Sequence, residues 1–368
     1  MTQSFHKQAV AWLKARRGAI AARLPSLRRP SGGRASFRRP RLPERWPALP
    51  PWLALPRWSL PGGLRPWITL VSFGFVLAAL ISHGRQLLQL SLDLQGWYWL
   101  LLGVGVTLLS LMANGAAFAV VLAHLGQRPR WQGVIALYMT TNLRKYLPGG
   151  IWHLSSRVLG LRSEGAPLQA PIAASGALLA VLLDPLLAAV GALALVPLGG
   201  WQGGLALLTP LPLLLLLPRW LNPLLLRLER RRSRDLALAE AEPPTPALGG
   251  YPWLPLLAEL LFVLLRFAGF ACCVAAFDLQ LSLDWWTWLA GFLLAWTAGL
   301  VVPGAPGGLG VFEAVLLLRL GVALPEAPLL AVALSYRLIS TLADLLGAAL
   351  VVVDQRLFQG RQPDTSSQ

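Results

Sequence analysis

The sequence predicts an all-α, polytopic membrane protein with about six spanning helices and two re-entrant Pro-Gly-Gly hairpins, and three observations carry this. The 368 residues are 55% hydrophobic and 13% charged, with a mean hydropathy of +0.58. Apolar runs close to the roughly 20 residues needed to cross a bilayer recur along most of the chain, at 67–82, 97–125, 171–198, 201–217, 253–277, 285–302 and 328–353. The chain also has sixteen tryptophans. Trp67, Trp97, Trp131, Trp201, Trp220, Trp253, Trp285 and Trp286 sit at the ends of those runs, where an interfacial aromatic belt puts them. The period-two alternation of a membrane β-barrel is missing.

The first 65 residues form a basic, proline-rich tail, with fourteen Lys/Arg against the single acid Glu44, a net of +13 of the formal +16. Without an apolar stretch before Trp67 it does not read as a signal peptide, and its composition predicts extensive disorder. Two readings stand: a solvated positive-inside tail, or a contact with anionic headgroups at about 1 kcal/mol per surface cation. No nucleic-acid partner is expected, because the tail is tethered to a membrane and its tryptophans flank prolines rather than forming a stacking platform. Either way the N-terminus is expected in the cytoplasm.

Positive-inside counting orients the rest. The segment 126–131 carries Arg128 and Arg130, and 218–250 carries Arg219, Arg227, Arg230, Arg231, Arg232 and Arg234; both belong inside. Segments 278–284 and 321–326 have no Lys or Arg and belong outside, while the tail 356–368 returns inside. The run 97–125 therefore brings the chain in and 171–198 takes it out, so residues 131–162 must enter from the cytoplasm and return to it. That is a re-entrant hairpin with LPGG at its tip, tolerated at membrane depth only if buried in protein or lining a wet cavity. By the same count 253–277 goes out and 328–353 returns, which makes 285–321 a second hairpin with PGAPGG (303–308) at its tip.

The membrane domain is thus expected over 66–355, in halves 97–199 and 251–354 joined by a cytoplasmic linker, 218–250. Pro148-Gly149-Gly150 corresponds to Pro306-Gly307-Gly308, and the spans that follow carry Asp184 and Asp344, 34 and 36 residues beyond the second glycine. Paired Gly/Pro-interrupted segments in two halves mark inverted-repeat transporters with a site at midplane; ordinary Pro-Gly loops are the alternative.

Cations inside such sequence are costly, about 2.5–3.5 kcal/mol each on insertion scales. Arg144 and Lys145 either snorkel to the interface or face a polar cavity. The cavity reading gains from Gly149 and Gly150, whose backbone can approach an anion. Arg157 lies four residues after His153, on the same face of a helical arm. With Lys145 the two would suit one anionic group such as a lipid phosphate, held by the guanidinium fork and a point charge. No GxxxxGK[ST] loop is present, so no nucleotide site is expected. Glu313, just after Gly307 and Gly308, either caps the ascending helix of the second hairpin, supplies a counter-charge, or carries a proton. Glu259 with Arg266, and Arg337 with Asp344, are each seven apart on one helix face and read as interhelical ion-pairing groups. Asp184-Pro185 reads as a kink with an inward carboxylate. The scattered histidines and the adjacent pair Cys272 and Cys273 offer no metal or disulfide pattern, and no cofactor is expected.

The segments KYLPGGIWH with LSSR, and PGGLGVFE, resemble the two signatures of the lysylphosphatidylglycerol synthase transmembrane-region family, the flippase-like domain family, over about residues 67–355. The resemblance implies a multi-spanning protein of the bacterial cytoplasmic membrane that moves lipids between leaflets, an aminoacylated phosphatidylglycerol in the best-known case. It carries function onto Asn142, Lys145, Pro148, Gly149, His153 and Arg157 in the first signature. In the second it does so for Pro306, Gly307, Gly308, Gly310 and Glu313. Bifunctional members add a large aminoacyl-transferase domain after the membrane region; this sequence runs only to Gln368, so a lipid transporter without that enzyme is expected. The rival readings are a non-catalytic membrane subunit supporting a lipid-modifying enzyme or glycosyltransferase, and an intramembrane transferase.

Overall fold

A computed structural model describes residues 92–146, 152–163, 167–170, 172–200, 205–223, 250–302 and 306–359. All belong to one compact unit, Ser59–Gln368. The basic tail 1–65, the run 67–82, most of the 218–250 linker, the end of the C-terminal tail and Pro148, Gly149 and Gly150 lie outside the described residues. Eight helices of ten residues or more form there, named here α1 (Leu94–His124), α2 (Trp131–Asn142), α3 (Trp152–Arg162), α4 (Ala174–Leu195), α5 (Trp253–Ala276), α6 (Trp285–Val301), α7 (Val311–Leu320) and α8 (Glu326–Gln359). No strand forms among the described residues; one isolated bridge joins Pro129 and Leu168. The protein is an all-α polytopic membrane protein.

Length separates spans from hairpin arms. At 1.5 Å per residue, α1, α4, α5 and α8 reach roughly 33–51 Å and exceed a hydrocarbon core of about 30 Å. The arms α2, α3 and α7, of 12, 11 and 10 residues, reach only about 15–18 Å. One expected span needs correcting. The run 201–217 is not one spanning helix: its described part holds only single turns, Leu205–Leu208 and Pro212–Leu215. Pro210, Pro212 and Pro218 remove backbone donors and clash with the preceding turn, which breaks the helix whatever its hydropathy.

The hairpins follow from how the ends are pinned. Arg130 donates its N–H to the Pro167 carbonyl at 2.6 Å and Gln169 donates to the Arg128 carbonyl at 3.1 Å, so the two feet of the α2–α3 hairpin are clasped together. Across the two halves, α1 and α5 run antiparallel. A Cβ on Gly96 would lie 2.7 Å from the Ala276 carbonyl oxygen, and one on Gly269 would lie 2.3 Å from Thr107 Oγ1. α8 runs parallel to α1, with Ile339 against Gly103 and Leu111 against Gly347. The end of α5 and the start of α8 are therefore on one side, and α6–α7 between them must go in and come back. Small residues at these contacts let helix backbones approach where lipid offers no hydrophobic drive for association.

An aromatic knot holds the second hairpin. Phe270 of α5, Phe292 of α6, Phe312 of α7 and Tyr336 of α8 stand mutually at 5.0–6.3 Å between ring centres, several edge to face, each pair contributing about 0.5–1.5 kcal/mol beyond area burial. At the solvent end of α6, Asp284 caps the helix. It accepts from the Thr287 hydroxyl at 2.6 Å and from the Trp286 and Thr287 amides at 3.0 Å. Those bonds, the Thr287 hydroxyl first, hold its carboxyl below the usual range.

Candidate functional site

Charge and hydrogen bonding tie both hairpin tips to α8. The first hairpin leaves α2 at Asn142 and tightens into a 3-10 turn, Leu143–Tyr146. Three donors there converge on the fully buried Asp344 of α8: Lys145 Nζ at 2.6 Å, Asn142 Nδ2 at 2.8 Å and the Tyr146 hydroxyl at 2.7 Å. The second tip is latched by Arg337, two turns before Asp344 on the same helix. Its fork donates to the carbonyls of Gly307 and of Gly308, and its Nε donates to Glu313 Oε1 at 2.8 Å. Glu313 Oε2 accepts the Gly310 N–H at 2.7 Å, so this carboxylate caps α7 and holds the arginine at once. The spacing of Arg337 and Asp344 was enough to place them on one face, but their ion-pair partners are Glu313 and Lys145.

The tips meet each other. Gly307, Gly308 and Gly310 have φ of +59°, +74° and +80°, a backbone that only glycine adopts without strain. A Cβ on Gly307 would come within 3.2 Å of the Tyr146 ring, and one on Gly308 within 2.8 Å of Gly299 Cα on α6. Gly308→Ala should therefore lower stability by about 2–4 kcal/mol, combining left-handed strain with overpacking. Equilibrium unfolding in detergent measures it, and a loss below about 1 kcal/mol would show that the tip simply shifts.

Between the tips and α4, α5 and α8 lies a cavity of about 380 Å³, the size of a small-ligand site. Four basic side chains border it, Lys145, Arg157, Arg266 and Arg337, with His153 beside them. Among the described lining residues Asp184 is the one carboxylate; Glu313 and Asp344 stand behind the cations they pair with. Arg157 is almost wholly buried. Its Nη1 lies 3.5 Å from Asp184 Oδ2, its Nε and Nη2 lie 3.3 Å from Thr141 Oγ1 and Asn142 Oδ1, and its guanidinium stacks 3.5 Å above the Tyr138 ring. Tyr138 also donates to Asp184 Oδ2 at 3.0 Å. Asn142 thus bridges the Arg157 and Asp344 clusters. Arg266 and His153 line the cavity, and two of their nitrogens, Arg266 Nε and His153 Nδ1, are buried with no hydrogen-bond partner among the described residues. Arg266 sits 5.9 Å from the Tyr336 ring centre.

The structure brings together Asn142, Lys145, His153, Arg157, Asp184, Arg266, Gly307, Gly308 and Arg337 on the cavity wall, with Glu313 and Asp344 one layer back and Glu259 behind Asp184. It does not bring Arg144 there: that residue is exposed and donates to Ser156 Oγ. Gly149 and Gly150 lie outside the described residues. Sequence reasoning missed Tyr138, Tyr146 and Tyr336, three of the chain's five tyrosines. A phenol inside an apolar run needs a hydrogen-bond partner when buried, and that signal was available.

Residues 66–347 match the family model for the lysylphosphatidylglycerol synthase transmembrane region. The chain belongs to that family. The match spans both hairpins, α8 up to Gly347 and every cavity residue named above, so the site lies within the family's defining region. Membership sets this protein among multi-spanning membrane proteins of lipid metabolism and transport. No curated protein matches the sequence closely enough to count as a relative.

Proposed function

We propose that the protein carries an anionic lipid headgroup between the leaflets of the bacterial cytoplasmic membrane, without acting as an enzyme itself. The observation that carries this is the layering of charge: cations face the cavity while most of their counter-carboxylates stand behind them. Such a wall offers a phosphate several cationic side chains and offers a cationic substrate only Asp184. The cavity wall also continues into Leu300 and Val301, which are 41% and 64% exposed. A ligand with a charged head and apolar tails matches that change of lining: the head displaces water among the arginines while the tails remain in lipid.

The first hairpin would receive the phosphate through Arg157, Lys145 and His153, and the second through Arg337. A zwitterionic headgroup adds a positive charge that the wall repels, so the carrier should prefer net-anionic lipids. The test is leaflet-resolved movement of labelled phosphatidylglycerol in proteoliposomes holding only this protein, against labelled phosphatidylcholine. Faster movement of the anionic lipid than in protein-free vesicles is expected. Equal, background rates for both lipids would overturn the carrier reading and leave a supporting subunit for a lipid-modifying enzyme.

A further inference from the structure

Glu259 is left over from the charge arrangement of the cavity. It sits fully buried on α5, and neither carboxyl oxygen has a hydrogen-bond partner among the described residues. Oδ1 of Asp184, also buried, has none either. The two carboxyls lie within hydrogen-bonding reach of one another. Two carboxylates can only accept, whereas one proton between them turns repulsion into a hydrogen bond.

The surroundings make full ionisation of both acids costly. From α2, Tyr138 faces them and donates to Asp184. From α3 come Arg157, 3.5 Å from Asp184, and one turn earlier His153, which borders the same cavity. α1 contributes the neutral Asn114. Arg266, two turns along α5 from Glu259, lies in the field of Asp344. One guanidinium thus serves two carboxyls, and an isolated ionised carboxylate in such a place is among the most expensive groups a protein can bury.

We propose that Asp184 and Glu259 share one exchangeable proton, and that this proton is bound together with the anionic headgroup. The proton site stands on the geometry; its link to the headgroup rests on the carrier reading. Asp184 borders the cavity, so a carboxylate oxygen takes the proton from cavity water and returns it by the same route. Glu259 lies behind and passes it through Asp184. With all eight groups ionised, Lys145, Arg157, Arg266 and Arg337 balance Asp184, Glu259, Glu313 and Asp344. One shared proton leaves the site at +1, and a phosphodiester returns it to zero. Loss of the proton restores a negative charge beside Arg157 and expels the anion. The linkage is reciprocal: each ligand raises the affinity for the other by the same factor.

Infrared spectroscopy of the purified full chain in nanodiscs reads the proton directly. At neutral pH the wild type should show the C=O band of a neutral carboxylic acid, and Glu259→Gln should lose it. Phosphatidylglycerol binding to the same samples should weaken as pH rises, by up to about tenfold per pH unit for one linked proton. The slope should be flat in Glu259→Gln and in Asp184→Asn, and should persist in His153→Gln. A wild type without the band, or an unchanged band in Glu259→Gln, overturns the proton site even if the lipid moves. A band present with a wild-type slope that is flat, or one abolished by His153→Gln instead, overturns the link. Failure of phosphatidylglycerol to move, with the band and slope intact, counts against the carrier alone.

Discussion

Asp344→Asn is expected to lower the free energy of unfolding by about 3 kcal/mol, the lower end of the 3–5 kcal/mol typical when one partner of a buried ion pair is removed. Asp344 is fully buried and takes donors from Lys145, Asn142 and Tyr146. Asparagine keeps the shape but offers one acceptor oxygen, and its amide opposes the remaining donors. Lys145 is left without its counter-ion, with a side chain only 20% exposed. That residual exposure lets water reach the ammonium and is the reason for choosing the lower end. The double variant Lys145→Met/Asp344→Leu removes both charges but leaves the Asn142 amide and the Tyr146 hydroxyl without their acceptor, so it should recover only part of the loss. Equilibrium unfolding in mixed detergent checks both. A single variant within about 1 kcal/mol of wild type would mean that the first hairpin is held by packing alone.

The second large effect is on ligand affinity. Arg157→Gln should weaken binding of phosphatidylglycerol by roughly 10- to 150-fold, the equivalent of about 1.5–3 kcal/mol for hydrogen bonds to a charged group. Arg157→Lys keeps the charge but loses the planar fork stacked on Tyr138, and should fall between. Arg144→Gln is the control: exposed and away from the cavity wall, it should bind within about twofold of wild type, as a surface polar change affects little. Lipid titration of matched nanodiscs by native mass spectrometry measures all three. Equal losses in the Arg144 and Arg157 variants would show a diffuse basic surface, and wild-type affinity in Arg157→Gln would remove the guanidinium from the site.

The contrast between those two arginines shows what the sequence can and cannot carry. Composition and run length were enough for the spans, because lipid imposes a length and an apolar lining on any helix that crosses it. The same criterion failed at 201–217, where prolines spaced two and six apart override hydropathy. The hairpins were legible because loop charge and helix count leave the chain no other route, and the PGGLG glycines because only they adopt the left-handed backbone found there. Partners across the bundle were not. A seven-residue spacing puts Glu259 and Arg266 on one face of α5, yet what each meets is decided by α2, α4 and α8, far away in the chain. Nothing local to Glu259 points to Asp184, 75 residues earlier.

The placement of both latches on α8 has a mechanical consequence. Arg337 grips one tip and Asp344 the other, two turns apart on the same face of a single continuous rod. A small roll of that rod about its long axis swings both grips sideways in the same sense. Both hairpins are thus geared to one helix: whatever displaces α8 displaces the two grips at once.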